Sequence, residues 1–247
     1  APECFEIAET LKKELNIPVF HDDQHGTAIV VSAGLLNALE IAGKKIEDVK
    51  IVFSGAGAAG IACARLVRKL GAKKENVFMV DSKGVICEDT ECNIHKKEFA
   101  TSQKVETLKD VIKDADVFIG VSKAGILNEE MLKSMNSSPI VFALANPHPE
   151  ILPEIAKKVR DDVIIATGRS DFPNQVNNAL VFPFIFRGAL DARVKEITEE
   201  MKVEVARELA KIAQEDEKFG KEFIIPNIFD ERLRERIPKA IALRARE

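Results

Sequence analysis

Short apolar runs alternate with helical segments through the middle of the chain. The strand-length runs are KIVFS, NVFMVD, DVFIGVS, PIVFALAN and DVIIATG, and the intervening segments IACARLVRKLG and VETLKDVIKDA have helical spacing. Continuous apolar runs of this length are typical of parallel strands that are buried on both faces. The alternation therefore predicts an α/β fold built on a doubly wound parallel sheet.

Helical patterns flank this central region on both sides. Residues 3–15 predict an amphipathic helix, IPVF after it predicts a short strand, and residues 26–42 predict a long helix that ends at Gly43. Beyond Asn177 the strand pattern stops. The segment FIFRGALDARVKEITEEMKVEVARELAKIAQ and the tail over residues 238–247 predict a helical appendage to the sheet.

Composition excludes several classes of function. The 247 residues are 46% hydrophobic and 31% charged with a net charge of -4, so the chain lacks the basic footprint of a nucleic-acid-binding protein. The longest apolar stretch, AIVVSAGLLNALEIAG, is interrupted by Ser32, Asn37 and Glu40, which favours a core helix over a membrane span. These features indicate a globular protein that binds neither nucleic acid nor membrane.

The cysteines indicate the compartment. The four cysteines of the sequence have no spacing typical of a disulfide framework. No basic-then-apolar signal segment opens the chain, so we expect the protein in a reducing cytoplasm. Cys87 and Cys92 with nearby His95 suggest a zinc knuckle, but the CxxC spacing and a second half are missing. Tyr and Trp are absent from the sequence.

A glycine-rich loop follows the first of the apolar runs. Gly55, Gly57 and Gly60 in SGAGAAG have the spacing GxGxxG, directly after a predicted strand and before a predicted helix. In this motif the first Gly permits the turn, the second lets the backbone approach a pyrophosphate, and the third lets helix and strand pack closely. A diphosphate would lie at the helix N-terminus, where free N–H groups attract anions. The alternative is a glycine-rich turn without a ligand.

An acidic residue completes the dinucleotide-binding pattern. Asp81 ends the run NVFMVD, about 20 residues beyond the loop, where a ribose-binding acid belongs. Its carboxylate would accept from the ribose hydroxyls and repel a 2′-phosphate, which favours NAD, while nearby Lys83 leaves NADP open. The segment GVSKAG, residues 120–125, is expected to pass close to the cofactor.

Two adjacent carboxylates, Asp22 and Asp23, lie in PVFHDDQHGTA ahead of the long helix. One of them could be the N-cap of that helix. His21 and His25, four residues apart, could form a zinc pair, although the Glu of that motif is missing. A third interpretation is a hard divalent cation bound by carboxylate oxygen beside the nucleotide site.

Three motifs resemble those of malic enzymes, the NAD(P)-dependent oxidative decarboxylases of L-malate. They are FHDDQHGTAIVVSAGLLNAL followed by KIVFSGAGAAGIACARL, then ALANPHPEI, then ATGRSDFPNQVNNALVFPFIFRGALD, in the same order across nearly the whole chain. The resemblance implies a Rossmann-type domain over residues 24–177. It also implies NAD(P)-dependent conversion of L-malate to pyruvate and CO2 with a divalent metal. A homodimer is implied as well, since members of this family commonly pair subunits.

The resemblance also implies roles for individual residues. Asp23 corresponds to a ligand of Mg2+ or Mn2+, and Asp22 to a residue at the catalytic centre. Asn146 corresponds to a residue near the nicotinamide and substrate, and Asn178 to a malate-binding amide. The dinucleotide phosphate contacts correspond to the loop residues Ala56, Gly57, Ala58 and Ala59. Without the resemblance, Asn146 before Pro147 could be a turn former, and Asn177 or Asn178 could cap the helix that follows.

The family's acid–base pair, a Tyr and a Lys, and two further metal-binding carboxylates correspond to positions upstream of residue 1. We therefore expect this chain to be the cofactor-binding half, which depends on a missing N-terminal segment or a partner subunit. Residues 1–23 and 178–247 would be parts of a second, incomplete domain, with apolar surface exposed around Phe5, Ile7 and Phe184. The alternatives are a non-catalytic dinucleotide-binding module and a malolactic enzyme, which releases lactate.

Overall fold

A six-stranded sheet forms the centre of the structure, a computed structural model that describes residues 2–245. The strands lie in the order β3-β2-β1-β4-β5-β6. All neighbours pair in parallel except β2 and β3, which are antiparallel. The strands are β1 (Ile51–Ser54), β2 (Val77–Asp81), β3 (Gly84–Val85), β4 (Val117–Gly120), β5 (Ile140–Ala143) and β6 (Ile164–Thr167). The predicted doubly wound α/β sheet is confirmed.

The five apolar runs are all strands, and every residue of β1, β4, β5 and β6 is buried. Burial on both faces explains why these runs do not alternate between apolar and polar residues. The short strand β3 was not predicted, because two residues carry no pattern. The strand predicted at IPVF is wrong: residues 17–20 are coil, outside the sheet, where no neighbouring strand supplies hydrogen bonds.

Helices cover both faces of the sheet. They are α1 (Pro2–Glu14), α2 (Asp22–Ala42), α3 (Ala58–Lys69), α4 (Ile94–Lys97), α5 (Leu108–Ile112), α6 (Glu129–Ser134), α7 (Pro153–Val159), α8 (Phe182–Asp191), α9 (Glu199–Gln214) and α10 (Leu233–Arg244), with 3-10 turns at Lys74–Asn76 and Asn178–Leu180. Helices α5, α6 and α7 contribute to the core on one face, and α2, α3, α8, α9 and α10 contribute to the core on the other.

Helix α2 is buried over most of its length. It ends at Gly43, whose φ of 66° is the left-handed conformation expected of a C-cap glycine. By length and composition this helix could cross a membrane, but 67% of its apolar window is buried inside the protein. Asn37 within it donates to the carbonyl oxygens of Ala210 (3.1 Å) and Ile224 (2.9 Å), which ties the helix to the C-terminal region.

The C-terminal region is helical, as predicted, but it is divided. Residues 192–198 separate α8 from α9. The apolar surface expected around Phe5, Ile7 and Phe184 is only partly present. Phe5 is buried, which corrects the prediction, because α1 packs that ring against His95 at 4.3 Å; Phe184 is half-buried, and Ile7 is exposed.

Candidate functional site

The glycine loop joins β1 to α3 with the geometry that its spacing predicts. Gly55 has a φ of 116°, which L side chains rarely adopt. A Cβ added at Gly60 would lie 1.9 Å from the carbonyl oxygen of Gly55, so the turn and the helix can approach only because Gly60 lacks a side chain. Gly57 is the N-cap of α3 and makes no side-chain cap. The helix N-terminus is therefore available to an anion.

A cleft of about 460 Å³ lies in front of this loop. It is bounded by the ends of β1, β2 and β4 and by α1 and α4. Its lining residues are Phe5, Ser54, Gly55, Ala56, Gly57, Ile61, Val80, Asp81, Ser82, Asn93, Lys96, Ser122, Lys123 and Ile126. Of the other predicted phosphate-loop residues, Ala58, Ala59 and Gly60 form the first turn of α3. A cleft at the carboxyl ends of parallel strands fits a dinucleotide.

Asp81 lies at one side of the cleft with both carboxylate oxygens engaged. Oδ1 accepts from the backbone N–H of Lys83 (2.8 Å), and Oδ2 accepts from Lys96 Nζ (2.6 Å). Partial burial alone raises the pKa of Asp81, but the Lys96 and Lys83 hydrogen bonds outweigh it and lower the pKa. The carboxylate is therefore ionised, and the adjacent Lys96 ammonium group offsets its negative charge. This ion pair weakens the repulsion between Asp81 and a 2′-phosphate on the ribose.

A second carboxylate, Glu150, connects the ends of β4 and β5. It is fully buried, and its oxygens accept from the backbone N–H groups of Ser122 and Ala145, each at 3.0 Å. Burial raises the pKa of Glu150, while these backbone donors act in the opposite direction. Ser122 Oγ in turn lies 2.9 Å from Ser54 Oγ at the end of β1. Three strand ends around the cleft are thus joined by polar contacts.

Asn146 lies just beyond β5, as the sequence predicted. Its side chain is exposed and lies next to Gly168, which follows β6. The amide is therefore at the carboxyl edge of the sheet and accessible to a ligand that reaches this edge.

Asp22 and Asn178 are brought together although 156 residues separate them. Asn178 Nδ2 donates to Asp22 Oδ2 (2.9 Å), and Thr27 Oγ1 donates to Asn178 Oδ1 (3.2 Å). The other oxygen of Asp22, Oδ1, is buried and has no hydrogen-bond partner among the described residues. A Cβ added at Gly26 would lie 2.2 Å from this oxygen, so Gly26 makes room for the carboxylate. A buried acceptor without a partner needs an explanation, and a catalytic or ligand-binding role supplies one.

The carboxylates are not the N-cap of α2, which corrects one interpretation. His21 holds that position, and its side chain accepts from the backbone N–H of Gln24. Asp22 and Asp23 occupy the first turn, where negative charge is favourable. Of the two adjacent asparagines, Asn177 is the cap: its side chain accepts from the backbone N–H of Ala179 (2.9 Å) at the start of the 3-10 turn. Asn178 instead donates to Asp22.

Asp23 is exposed in the first turn of α2. Within residues 2–245 it does not belong to any group of three or more His, Cys, Asp or Glu side chains that could hold a metal ion. The same holds for the two zinc alternatives at Cys87, Cys92 and His95 and at His21 and His25. A single carboxylate does not hold Mg2+ or Mn2+ well, so the described residues alone do not form a complete metal site.

His25 belongs to a partly buried polar cluster that the sequence did not reveal. Its Nδ1 accepts from Lys202 Nζ (3.1 Å), and Lys202 also donates to Glu199 Oε1 (2.6 Å). Burial, and then the adjacent Lys202 ammonium group, lower the pKa of His25 to about 2. The cluster fastens the first turn of α2, which carries Asp22 and Asp23, to α9.

Sequence reasoning missed Lys96, Lys202 and Glu150. Lys96 lies fifteen residues beyond Asp81, on a four-residue helix with no periodic signal. Lys202 lies on the buried face of α9. From the sequence alone, a lysine in a helix is expected on the solvent-exposed face. Glu150 lies in NPHPEI, where nothing in the sequence distinguishes a buried acid from an exposed one.

Comparisons with known proteins agree with this geometry. The sequence model described as "Malic enzyme, NAD binding domain" matches residues 24–245. The NADP-dependent malic enzyme of Halomonas elongata is 52% identical over 98% of this chain and 61% of its own length. The bifunctional malic/malolactic enzyme of Bacillus subtilis is 53% identical over 100% of this chain and 61% of its own length.

A solved structure gives the same result for the fold. The crystal structure of malic enzyme from Pyrococcus horikoshii is 43% identical in sequence and superposes with a TM-score of 0.93. The match covers 100% of this chain and 59% of that chain. The chain thus spans about three fifths of the length of these relatives.

Proposed function

Because the chain belongs to the malic enzyme family, through its NAD-binding domain, we propose that it supplies the cofactor-binding part of an enzyme that oxidises and decarboxylates L-malate to pyruvate. The observation that carries this proposal is the hydrogen-bonded pair of Asp22 and Asn178, in which the buried Oδ1 of Asp22 has no partner among the described residues. NAD(P), when bound in the cleft, supplies the hydride acceptor.

The chain's own residues bind and orient in this proposal. The uncapped N-terminus of α3 holds the diphosphate, and Gly57 gives the phosphates room to approach the backbone. Asn146, at the end of β5, orients the nicotinamide half and the substrate. Asn178 holds Asp22 Oδ2, which leaves Oδ1 as the acceptor of this carboxylate without a partner among the described residues.

The metal and the remaining acid–base groups belong to the same proposal. Asp23 would contribute one oxygen ligand to Mg2+ or Mn2+, with the other ligands from residues outside this chain, since the described residues form no three-ligand group around it. A Tyr acid would also come from elsewhere, because this sequence contains no Tyr. We expect the complete enzyme to be a homodimer.

The test separates binding from turnover. NAD is titrated into this chain alone by calorimetry, and nicotinamide reduction at 340 nm is followed with malate and Mn2+ in the complete enzyme, with and without Asp22→Asn. We expect saturable NAD binding by the chain. We also expect the variant enzyme to lose at least about 100-fold in turnover, the usual contribution of a positioned acid or base.

Three results would change the proposal. Absence of NAD binding would contradict it outright. Full turnover in the Asp22→Asn enzyme would remove Asp22 from the chemistry. Lactate as the product, without net reduction of the cofactor, would select the malolactic reaction, which the name of the Bacillus subtilis relative also includes.

The choice between NAD and NADP is tested at Asp81. The ion pair with Lys96 offsets the repulsion that Asp81 alone would exert on a 2′-phosphate. Asp81→Asn removes that repulsion and leaves Lys96 without its carboxylate partner, so we expect the ratio of NADP to NAD affinity to rise at least about tenfold. Calorimetric titration of both dinucleotides measures this ratio. Lys96→Gln should lower the ratio, and a change in the same direction for both variants would contradict this role of the pair.

A further inference from the structure

Glu150 is a buried carboxylate that the proposed reaction does not use. It lies beyond β5 in NPHPEI, with none of its surface exposed. Burying a charged group is costly unless hydrogen bonds compensate it. Here both oxygens are used, one by the Ser122 N–H and one by the Ala145 N–H, each at 3.0 Å. These two donors belong to two different loops.

Each of those loops carries a group directed at the ligand-binding edge. Ser122 follows β4 and lines the cleft, and Ala145 directly precedes Asn146 after β5. The connection continues to β1, because Ser122 Oγ lies 2.9 Å from Ser54 Oγ, next to Gly55 of the phosphate loop. One carboxylate therefore sets the separation of the loops that follow β4 and β5. The contact from Ser122 ends at Ser54, the last residue of β1, before the phosphate loop begins.

The fit around Glu150 is close as well as polar. A Cβ added at Gly120, the last residue of β4, would lie 2.4 Å from Glu150 Cδ. The backbone of Glu150 is held as well, because its carbonyl oxygen accepts from the N–H of Leu127 (3.2 Å). The carboxylate thus lies directly over the end of β4, in the space that the absence of a side chain at Gly120 leaves.

The position of these loops in the sheet decides which half of the ligand they affect. Strand order reverses between β1 and β4, and dinucleotides bind across that point, one half on each side. Asp81 and Lys96 lie on the β2 side, where the adenosine ribose belongs. Ser122 and Asn146 lie on the β4 and β5 side, where the nicotinamide half of the dinucleotide belongs.

We infer that Glu150 is a positioning residue for the nicotinamide half of the dinucleotide, which it serves by holding Ser122 and the Ala145–Asn146 turn in place through backbone hydrogen bonds. This inference rests on the proposed dinucleotide-binding function and extends it to a residue with no ligand contact of its own. It differs from a general structural role, because it affects one half of the cofactor and leaves the other half unchanged.

The experiment compares NAD with ADP-ribose, which lacks the nicotinamide. In Glu150→Gln the side-chain amide group faces a backbone N–H, so two donors meet and one hydrogen bond is lost. We expect the affinity for NAD to fall about tenfold and the affinity for ADP-ribose to change less than about twofold, both measured by calorimetry on this chain. The matched control is Glu154→Gln, an exposed glutamate on α7, which should change neither affinity.

Glu150→Asp provides the second variant if the Gln variant does not fold. It keeps the charge, but a side chain shorter by one methylene reaches only one of the two N–H groups, so a smaller selective loss of NAD affinity is expected. Equal losses for NAD and ADP-ribose, or no loss for either, would overturn the inference. If the unsubstituted chain binds neither ligand, the proposed function fails and the inference fails with it.

Discussion

Alanine in place of Gly60 is expected to lower the free energy of unfolding by about 3 kcal/mol and to abolish dinucleotide binding. The new Cβ would lie 1.9 Å from the Gly55 carbonyl oxygen, and both partners are backbone, so the contact is relieved only if the loop moves away from α3. That movement displaces the backbone N–H groups that would hold a diphosphate. Urea denaturation and NAD titration measure the two effects.

Gly57→Ala is the matched control, since it introduces the same methyl group into the same loop. In the described structure a Cβ at this position meets no atom within 4 Å, and the φ of Gly57, -91°, suits alanine. We expect its stability to stay within about 0.5 kcal/mol of the unsubstituted chain while its NAD affinity falls, because the methyl group occupies the approach of the phosphates. Equal stability of the two variants would contradict the packing role assigned to Gly60.

Acidification from pH 6.5 to pH 5 is expected to cost the chain about 2 kcal/mol of stability through His25. The folded protein holds His25 neutral until about pH 2, because the residue is buried beside Lys202, while the unfolded chain binds the proton near pH 6.5. Below pH 6.5 the unfolded state therefore binds more protons, and stability falls as pH falls. Well above pH 6.5 the residue is neutral in both states and contributes no slope.

Urea denaturation of the unsubstituted chain and of His25→Gln at pH 7.5, 6 and 5 tests this expectation. Glutamine accepts a hydrogen bond from Lys202 but does not titrate, so the pH dependence of stability should become shallower by about 2 kcal/mol between pH 7.5 and pH 5. His148→Gln is the matched control, because His148 is exposed. Parallel stability curves for His25→Gln and the unsubstituted chain would contradict the assignment.

Local pattern was enough to predict the sheet and the phosphate loop. Strands buried on both faces leave continuous apolar runs, and the glycine spacing specifies a turn whose geometry depends on the loop itself. The position of Asp81 followed from the same unit, since the loop, the helix and the next strand are consecutive. The strand predicted at IPVF was wrong because an apolar run becomes a strand only where a neighbouring strand can pair with it.

The polar connections between distant segments could not be predicted in this way. The contact between Asp22 and Asn178 spans 156 residues, and that between His25 and Lys202 spans 177, so no window of sequence contains both partners. Family resemblance named Asp22 and Asn178 as separate site residues, and the fold shows that they are hydrogen-bonded to each other. Lys202 and Glu150 had no such signal, because their importance lies in backbone and side-chain partners that only folding brings near.

The way α2 is covered has a consequence for synthesis of the chain. Gly34 packs against Ile225, and Asn37 is bonded to the carbonyl oxygens of Ala210 and Ile224, so the cover of this apolar helix comes from residues made almost 200 positions later. At about 5–20 residues per second, the ribosome leaves α2 uncovered for about 10–40 s after it emerges. During that interval a segment with the composition of a membrane span is exposed, and the nascent chain is open to capture by chaperones.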